Sequence, residues 1–247
     1  MMNEKKLIGS WIQIGSKDCI TMMVEAGFDF LVIDMEHGSI SDGKLSEILD
    51  VFNNSNCLPF VRVAKNENIL IRRALDLGAK GIIVPGVNSK DDVEKARKAI
   101  FYPPNGERGI GFSKANKYGL NFDKYFNEIN KEIKFIAQIE HINAIKNIDE
   151  IFSNSYIDYY MIGPYDLSGS MGIVGDFKHS EYKKNLNRIK QSAIKNKIKT
   201  GIHVVAPELS DVKSAIKENY SLIAYSTDAL LIFDRCKNDL KTVKNIL

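Results

Sequence analysis

Lys134-Phe-Ile-Ala-Gln-Ile-Glu140 and Asp158-Tyr-Tyr-Met-Ile-Gly-Pro-Tyr-Asp166 decide how this chain is read. Each is a short run, apolar at successive positions and ended by a carboxylate, so each reads as a strand covered on both faces. Glu140 and Asp166 then stand at the carboxyl ends of their strands. In a closed parallel barrel that end is the mouth, and carboxylates there are well placed to hold a hard cation. The two segments together suggest a barrel with a metal-assisted activity.

Working outward, similar apolar runs recur at residues 7–14, 30–35, 58–63, 81–85, 201–205 and 222–226, which with 135–140 and 159–163 make eight strands. Helical patterns lie between them, at 69–77, at 91–100 behind a Ser89 cap, at 144–152 and at 209–218. Eight strand-then-helix units with no linker predict one α/β domain over residues 1–247, a single (β/α)8 barrel. An open doubly wound sheet is the competing architecture, but no Gly-rich dinucleotide fingerprint follows any strand. The longest irregular stretch, residues 102–119, precedes a small extra helix near 122–130. Loops of that length are often functional, and a solvated excursion is the other reading.

Composition narrows the partners. The chain has 247 residues, 44% of them hydrophobic, enough to bury a full barrel core. Its 34 Lys and Arg nearly balance 31 Asp and Glu, and the lysines are scattered beside acids, so nucleic acid and membrane surfaces are poor partners and a small molecule is the better one. Cys19, Cys57 and Cys236 have neither metal-type spacing nor an even count, which points to a reducing, cytoplasmic setting. The amino-terminal segment lacks the apolar stretch of a signal peptide, and no run is long enough to span a bilayer.

Polar residues interrupt the apolar runs at one end only. Asp34, Glu36 and His37 follow the second strand, Arg62 lies in the third, Gln138 and Glu140 in the fifth, and Asp166 follows the sixth. Side chains alternate along a strand, so Gln138 and Glu140 point one way together, as do Asp34 and Glu36. Each has a plainer reading as well. Glu140 and Asp166 would serve as helix caps, Arg62 as a partner for Glu36, and His37 as a loop histidine. His141, His179 and His203 carry weaker signals, and of these only His203 lies near a strand end. The tract Gly163-Pro164-Tyr165-Asp166 leads from strand to helical turn, so the amides of Tyr165 and Asp166 are free for an anion, while Pro164 has none.

Taken in order, these segments resemble the HpcH/HpaI aldolases, metal-dependent class II pyruvate aldolases of the 2-keto-3-deoxy-sugar-acid and dihydroxyheptenedioate type. The resemblance is carried by Ala26-Gly-Phe-Asp-Phe-Leu-Val-Ile-Asp-Met-Glu-His-Gly38, Val61-Arg-Val, Ala74-Leu-Asp-Leu-Gly-Ala-Lys-Gly-Ile-Ile-Val-Pro85, Tyr102-Pro-Pro-Asn-Gly-Glu-Arg-Gly-Ile-Gly111, Gln138-Ile-Glu140 and Ile162-Gly-Pro-Tyr-Asp-Leu-Ser168. It implies a barrel of the phosphoenolpyruvate/pyruvate type. It also implies reversible cleavage of a 4-hydroxy-2-oxo acid to pyruvate and an aldehyde through an enolate held on Mg²⁺ or Mn²⁺. Glu140 and Asp166 would be the metal ligands, Arg62 would sit on the ketone oxygen, and His37 with Asp34 would move the proton. Gln138, Gly163, Pro164, Tyr165 and Asp166 would line the pyruvate site. Asp76 matches a residue lent to a neighbouring subunit, which implies a homo-oligomer, dimer-based and commonly a hexamer.

The chain also departs from its resemblance. Lys65 and Glu67 stand where an aromatic and an aspartate are common, Ser39 and Ile40 replace Pro-Asn, His141 replaces threonine, and Ser226 replaces glycine. These changes spare the metal ligands and the arginine and fall on the aldehyde-binding loops. Three other readings stand beside the aldolase: a Schiff-base enzyme using Lys80, Lys134 or Lys199, although all three lie at the entering ends of strands; a siderophore-type citrate synthase condensing a thioester with oxaloacetate; and a non-catalytic keto-acid-binding protein.

Overall fold

The structure, a computed structural model, describes residues 6–246. Its strands are β1 (Leu7–Ile12), β2 (Phe30–Asp34), β3 (Leu58–Arg62), β4 (Gly81–Val84), β5 (Lys134–Ile139), β6 (Tyr159–Ile162), β7 (Lys199–Val204) and β8 (Leu222–Thr227). The helices are α1 (Lys17–Glu25), α2 (Asp42–Leu49), α3 (Asn68–Leu77), α4 (Lys90–Ile100), α5 (Phe122–Glu132), α6 (Ile142–Lys146), α7 (Ile148–Phe152), α8 (Pro164–Ser170), α9 (Ser180–Lys195), α10 (Leu209–Lys217) and α11 (Asp228–Lys244). The strands close in chain order into one barrel, with β8 pairing back onto β1 and every pairing parallel. The barrel, and not the open sheet, is the architecture.

Strand alternation sorts the core into two layers. Phe30, Phe60, Ile83, Ile136 and Met161 fill the barrel interior, whereas their outward neighbours Leu31, Val61, Ile82, Phe135 and Tyr160 pack with helix residues such as Ile71 and Val93. The aromatic rings fit inside because the adjacent strands carry no side chain at the same level. A Cβ on Gly9 would lie 2.4 Å from the Phe30 carbonyl oxygen and 2.5 Å from its ring, and one on Gly81 would lie 2.6 Å from Phe60 Cδ1.

Most strands end one or two residues earlier than the apolar runs suggest, because the backbone finds other partners at the mouth. The amides of Gln13 and Ile14 leave the ladder and donate to Asp228 at 2.9 and 3.1 Å. The predicted helix 144–152 is two helices, α6 and α7, divided at Asn147, whose side-chain amide donates to the Asn88 carbonyl at 2.9 Å. The Ser89 cap stands as expected, its hydroxyl accepting from the Asp92 amide at 3.2 Å. One irregularity interrupts the sheet. The β1–β8 register slips between Gly9 and Trp11, and within it Ser226 takes the left-handed conformation, φ +54°. The left-handed backbone accounts for the glycine usual there.

The long stretch after α4 contains a 3-10 turn at Lys114–Gly119 and lies at the amino-terminal end of the barrel. It is tied down by Lys114 to Asp50 at 2.9 Å and by Arg108 to Asp76 at 2.6 Å. None of it lines the mouth of its own barrel, so the functional-loop expectation is not met within one chain. Among the described residues no helix is long and apolar enough to cross a membrane.

The tight fit of Gly9 makes a direct test of the interior packing. Gly9→Ala should lower the folding free energy by about 1–3 kcal/mol, the cost of overpacking a filled core. Gly43→Ala, in α2 with nothing within 4 Å of the added carbon, should be neutral or stabilising by up to about 1 kcal/mol. Urea denaturation midpoints of the two variants check the contrast.

Candidate active site

The carboxyl ends of the strands enclose a cleft of about 260 Å³, bordered by Trp11, Arg62, Gln138, Gly163 and His203. It opens into a wider basin of about 720 Å³ beside Glu36, Glu140 and Asp166, and His37, Tyr165 and Asp166 border both. The residues picked from strand ends thus converge on one mouth, with Asp34 beneath it, whereas Asp76, given by the resemblance alone, lies far from it.

Arg62 is the cation of this mouth, 7% exposed at the end of β3. Its Nε and Nη2 donate to the two oxygens of Asp34 at 2.9 and 2.7 Å, and Nη1 stands 3.1 Å from Glu36 Oε2. Asp34 is its register partner on β2. The structural reading, a pair with Glu36, is therefore half of the arrangement, because Asp34 is the closer partner. Trp11 packs against the guanidinium, 4.5 Å from ring centroid to carbon. Burial pushes the Asp34 carboxyl up, but the hydrogen bond and charge of Arg62 and the amides of His37 and Glu36 outweigh it and hold the group below its usual range.

Asp34 does not orient the His37 imidazole, contrary to expectation. It accepts from the backbone amides of Glu36 and His37 at 3.1 and 3.2 Å, so it shapes the turn that carries His37. The imidazole itself is exposed on the rim.

Across the cleft, Glu140 lies just past the end of β5. Its Oε1 accepts from the Gly86 amide at 2.6 Å and its Oε2 from the Gln138 side chain. Neither Glu140 nor Asp166 caps a helix: α6 is capped by His141, and α8 begins at Gly163 without a side-chain cap. Gly163 is required here because a Cβ would stand 2.8 Å from both Cβ and Oε2 of Glu140. Burial raises the Glu140 carboxyl above its ordinary range, and the charges of Glu36 and Asp166 add to the rise against the two hydrogen bonds. Glu36 is raised by burial as well, with Asp34 and Asp166 contributing and Arg62 opposing.

These carboxylates fit a hard divalent ion. Glu140 and Asp166 offer oxygen donors just beyond two adjacent strands, burial disfavours the Glu140 charge, and the buried Oε1 of Gln138 beside them has no hydrogen-bond partner. Among the described residues no group of three or more His, Cys, Asp or Glu forms a closed cage. A pair of protein carboxylates leaves the remaining positions for water and substrate, as a Mg²⁺-type site requires.

Asp76 sits near the end of α3, at the opposite face of the barrel from the mouth, and accepts from Arg108. It has no place in the cleft of its own chain. Lys80, Lys134 and Lys199 lie at the entering ends of β4, β5 and β7, and among the described residues no lysine borders the cleft.

Sequence reasoning missed Trp11 and Gln13, and it undervalued His203. The His203 ring stacks on Trp11 at 5.0 Å, and its Nε2 is 3.2 Å from the Ser226 carbonyl. Burial, aided by the charge of Arg62, lowers the imidazole to about 4, against the opposing pull of that carbonyl and Asp34. The one usable signal was position: Trp11 and His203 are inward residues near strand ends, as Arg62 is.

Two outcomes follow from this geometry. Gly163→Ala should displace Glu140 and weaken divalent-ion binding, measured by calorimetry, while leaving the barrel folded by circular dichroism. Because the folded-state carboxyl of Glu140 is raised, its ionisation opposes folding; that penalty is absent at low pH and appears as pH rises through the raised value. Glu140→Gln should therefore raise the Tm of the metal-free protein at pH 7, and the gain should disappear by about pH 4, where the free carboxyl also holds its proton.

Comparison with known proteins gives this mouth its context. Residues 7–234 match the HpcH/HpaI aldolase/citrate lyase family. A hydroxypyruvate/pyruvate aldolase from Paraburkholderia phytofirmans is 30% identical over 97% of this chain and 94% of its own. An HpcH/HpaI aldolase/citrate lyase family protein from Burkholderia cenocepacia superposes with a TM-score of 0.92 at 27% identity, covering 97% of this chain and 95% of its own. A citrate synthase superposes with a TM-score of 0.87 at 26% identity, covering 98% and 94%. The chain belongs to the HpcH/HpaI aldolase/citrate lyase family.

Proposed function

We propose that this chain is a divalent-metal-dependent aldolase that reversibly cleaves a 4-hydroxy-2-oxo acid to pyruvate and an aldehyde. The observation that carries the reading is the pairing of a buried guanidinium with two carboxylates across one cleft that no lysine among the described residues borders. Breaking the bond between C3 and C4 leaves an electron pair on C3, beside the ketone. Mg²⁺ or Mn²⁺ held by Glu140 and Asp166 would supply a Lewis acid at the keto oxygen.

The protein's own groups do the rest. Two Arg62 N–H groups are committed to Asp34 and Nη1 also faces Glu36, which leaves one N–H on each of Nη1 and Nη2 to donate to the keto oxygen as negative charge develops there. The second N–H of the Gln138 amide, whose first goes to Glu140, and the amides of Tyr165 and Asp166 would receive the substrate carboxylate, with Gly163 and Pro164 shaping the approach. His37, on the exposed rim, would take the proton of the C4 hydroxyl during cleavage and return it during synthesis. Asp34 acts through Arg62 and through the turn bearing His37. Asp76, at the far face, would reach an active site only in a neighbouring copy, so activity should fall on dilution below the assembly constant.

The test needs no knowledge of the aldehyde. With Mg²⁺ or Mn²⁺ the protein should exchange the methyl protons of pyruvate with deuterated water, followed by NMR. Chelator or Glu140→Ala should abolish the exchange. Arg62→Lys keeps the charge but loses the fork, and should slow exchange by about 10²–10³-fold with metal affinity retained. Exchange that persists in chelator, or an adduct trapped by borohydride, would overturn the reading. Consumption of oxaloacetate with a thioester would transfer it to the citrate-synthase chemistry.

A further inference from the structure

His203 is the one polar ring on the wall opposite the carboxylates, and the mechanism above does not use it. Glu140 follows β5, Asp166 follows β6 in α8 and Arg62 ends β3, so a 2-oxo acid gripped there by its carboxylate and keto oxygen would have β7, β8 and β1, which supply none of these groups, as the wall facing C3. That wall consists of Trp11, Gln13, His203, Val205, Thr227 and Leu230. Gln13 Nε2 points to Asp34 at 3.4 Å, and Thr227 Oγ1 accepts from the Leu230 amide at 3.2 Å.

The backbone decides which nitrogen of His203 carries the proton. A carbonyl oxygen only accepts, so the 3.2 Å contact with Ser226 requires the proton on Nε2. The carbonyl is turned toward the ring by the left-handed Ser226 in the β1–β8 bulge, and Ser10 Oγ donates to the same oxygen at 3.3 Å. In the neutral ring Nδ1 is left as a pure acceptor, with no donor among the described residues. Held at about 4 by burial and Arg62, the ring stays neutral at ordinary pH.

We propose that His203 is the residue that reads the substituent on C3, its Nδ1 accepting a hydrogen bond from a hydroxyl there, so that the cleft selects 3-hydroxy-2-oxo acids over alkyl ones of the same size. The proposal rests on the aldolase reading and deepens it to a donor class. In cleavage of a 3,4-dihydroxy-2-oxo acid, C4 departs as the aldehyde after its hydroxyl loses a proton. The electron pair of the broken bond stays on C3, and protonation there gives hydroxypyruvate. A carboxylate on C3, as in oxaloacetate, would meet the Nδ1 lone pair instead of a donor and is disfavoured.

Trp11 is the sole tryptophan of the chain and stacks on His203, so its fluorescence reports the wall directly. Titration in Mg²⁺ with hydroxypyruvate and with 2-oxobutyrate compares a hydroxyl with a methyl at one position. Hydroxypyruvate should bind the wild type about tenfold more tightly, the worth of one hydrogen bond to a group otherwise left unpaired. His203→Leu should bring that ratio to about one or below, and His203→Asn, whose side-chain oxygen takes the place of Nδ1, should restore most of it. The ratio of kcat/KM for the two donors with one aldehyde should move in parallel. A wild-type ratio of one or less, tighter binding of oxaloacetate, or equal losses for both donors in His203→Leu would overturn the proposal, and the wild-type ratio decides even if the variants misfold. Absence of Mg²⁺-dependent binding of any 2-oxo acid, together with absence of pyruvate proton exchange, would instead remove the aldolase reading and this inference with it. Pyruvate exchange with a failed donor ratio removes the inference alone.

Discussion

The ion pair between Arg62 and Asp34 is the contact on which the mouth of this barrel depends. The two residues face each other in register on β2 and β3, and the pair is bidentate and almost wholly buried. Leaving either charge alone there would cost about 3–5 kcal/mol, so the partners hold one another in a position neither would occupy unaided. The pair then organises its surroundings. Asp34 anchors the turn of Glu36 and His37 through their amides, Trp11 lies against the guanidinium, and His203 stacks on Trp11 and reaches the backbone of β8. A single buried charge pair thereby links β2 and β3 to β1, β7 and β8.

The facing half has the opposite design. Just beyond β5 and in the first turn of α8, the carboxylates of Glu140 and Asp166 form no ion pair among the described residues, and Glu140 is held by one backbone amide and one side-chain amide. Burial of the Glu140 charge, with Glu36 and Asp166 adding to it, makes the metal-free site less stable than a neutral version would be. A divalent ion held there, as proposed, would relieve that cost, so stability given up in folding would be recovered in binding. The 2-oxo acid proposed as substrate, anionic at one end and polarised at the ketone, would span the two halves and match their charge pattern.

Much of this was legible in the sequence because the period of a buried strand reports both its position and its faces. All eight strands were found, and Arg62, Glu140 and Asp166 stood out because charges in apolar runs require a reason. Partnership was less legible. Alternation places Asp34 on the inner face but does not say that its oxygens go to Arg62 and to the backbone of His37 and not to an imidazole. The break at Asn147 depends on a carbonyl 59 positions away in the chain, beyond any local pattern. The Tyr102 segment carried an unmistakable loop signature, yet only the direction of α4 shows that it lies at the far face. Asp76 matched by resemblance alone and has no role within its own barrel.

The least legible part of the mouth is the wall formed by β7, β8 and β1, because it is assembled only when the barrel closes. Trp11 and His203 are 192 positions apart and meet because β8 pairs back onto β1, placing β7 close by. The closing seam is also where the register slips, and there a serine holds a conformation that costs a non-glycine residue of order 1 kcal/mol or more. That cost is compensated locally, since the carbonyl so turned accepts from both Ser10 and His203. Chain closure, the slipped register and the tautomer of one histidine are therefore a single physical arrangement. The machinery on β3, β5 and β6 belongs to any reaction that stabilises charge beside a ketone, whereas the seam confers on this chain a neutral acceptor in that wall. On the proposed function, selection between 2-oxo acids would be decided at the seam, where the strands differ in what they present, and not at the carboxylates, which every such substrate would meet alike.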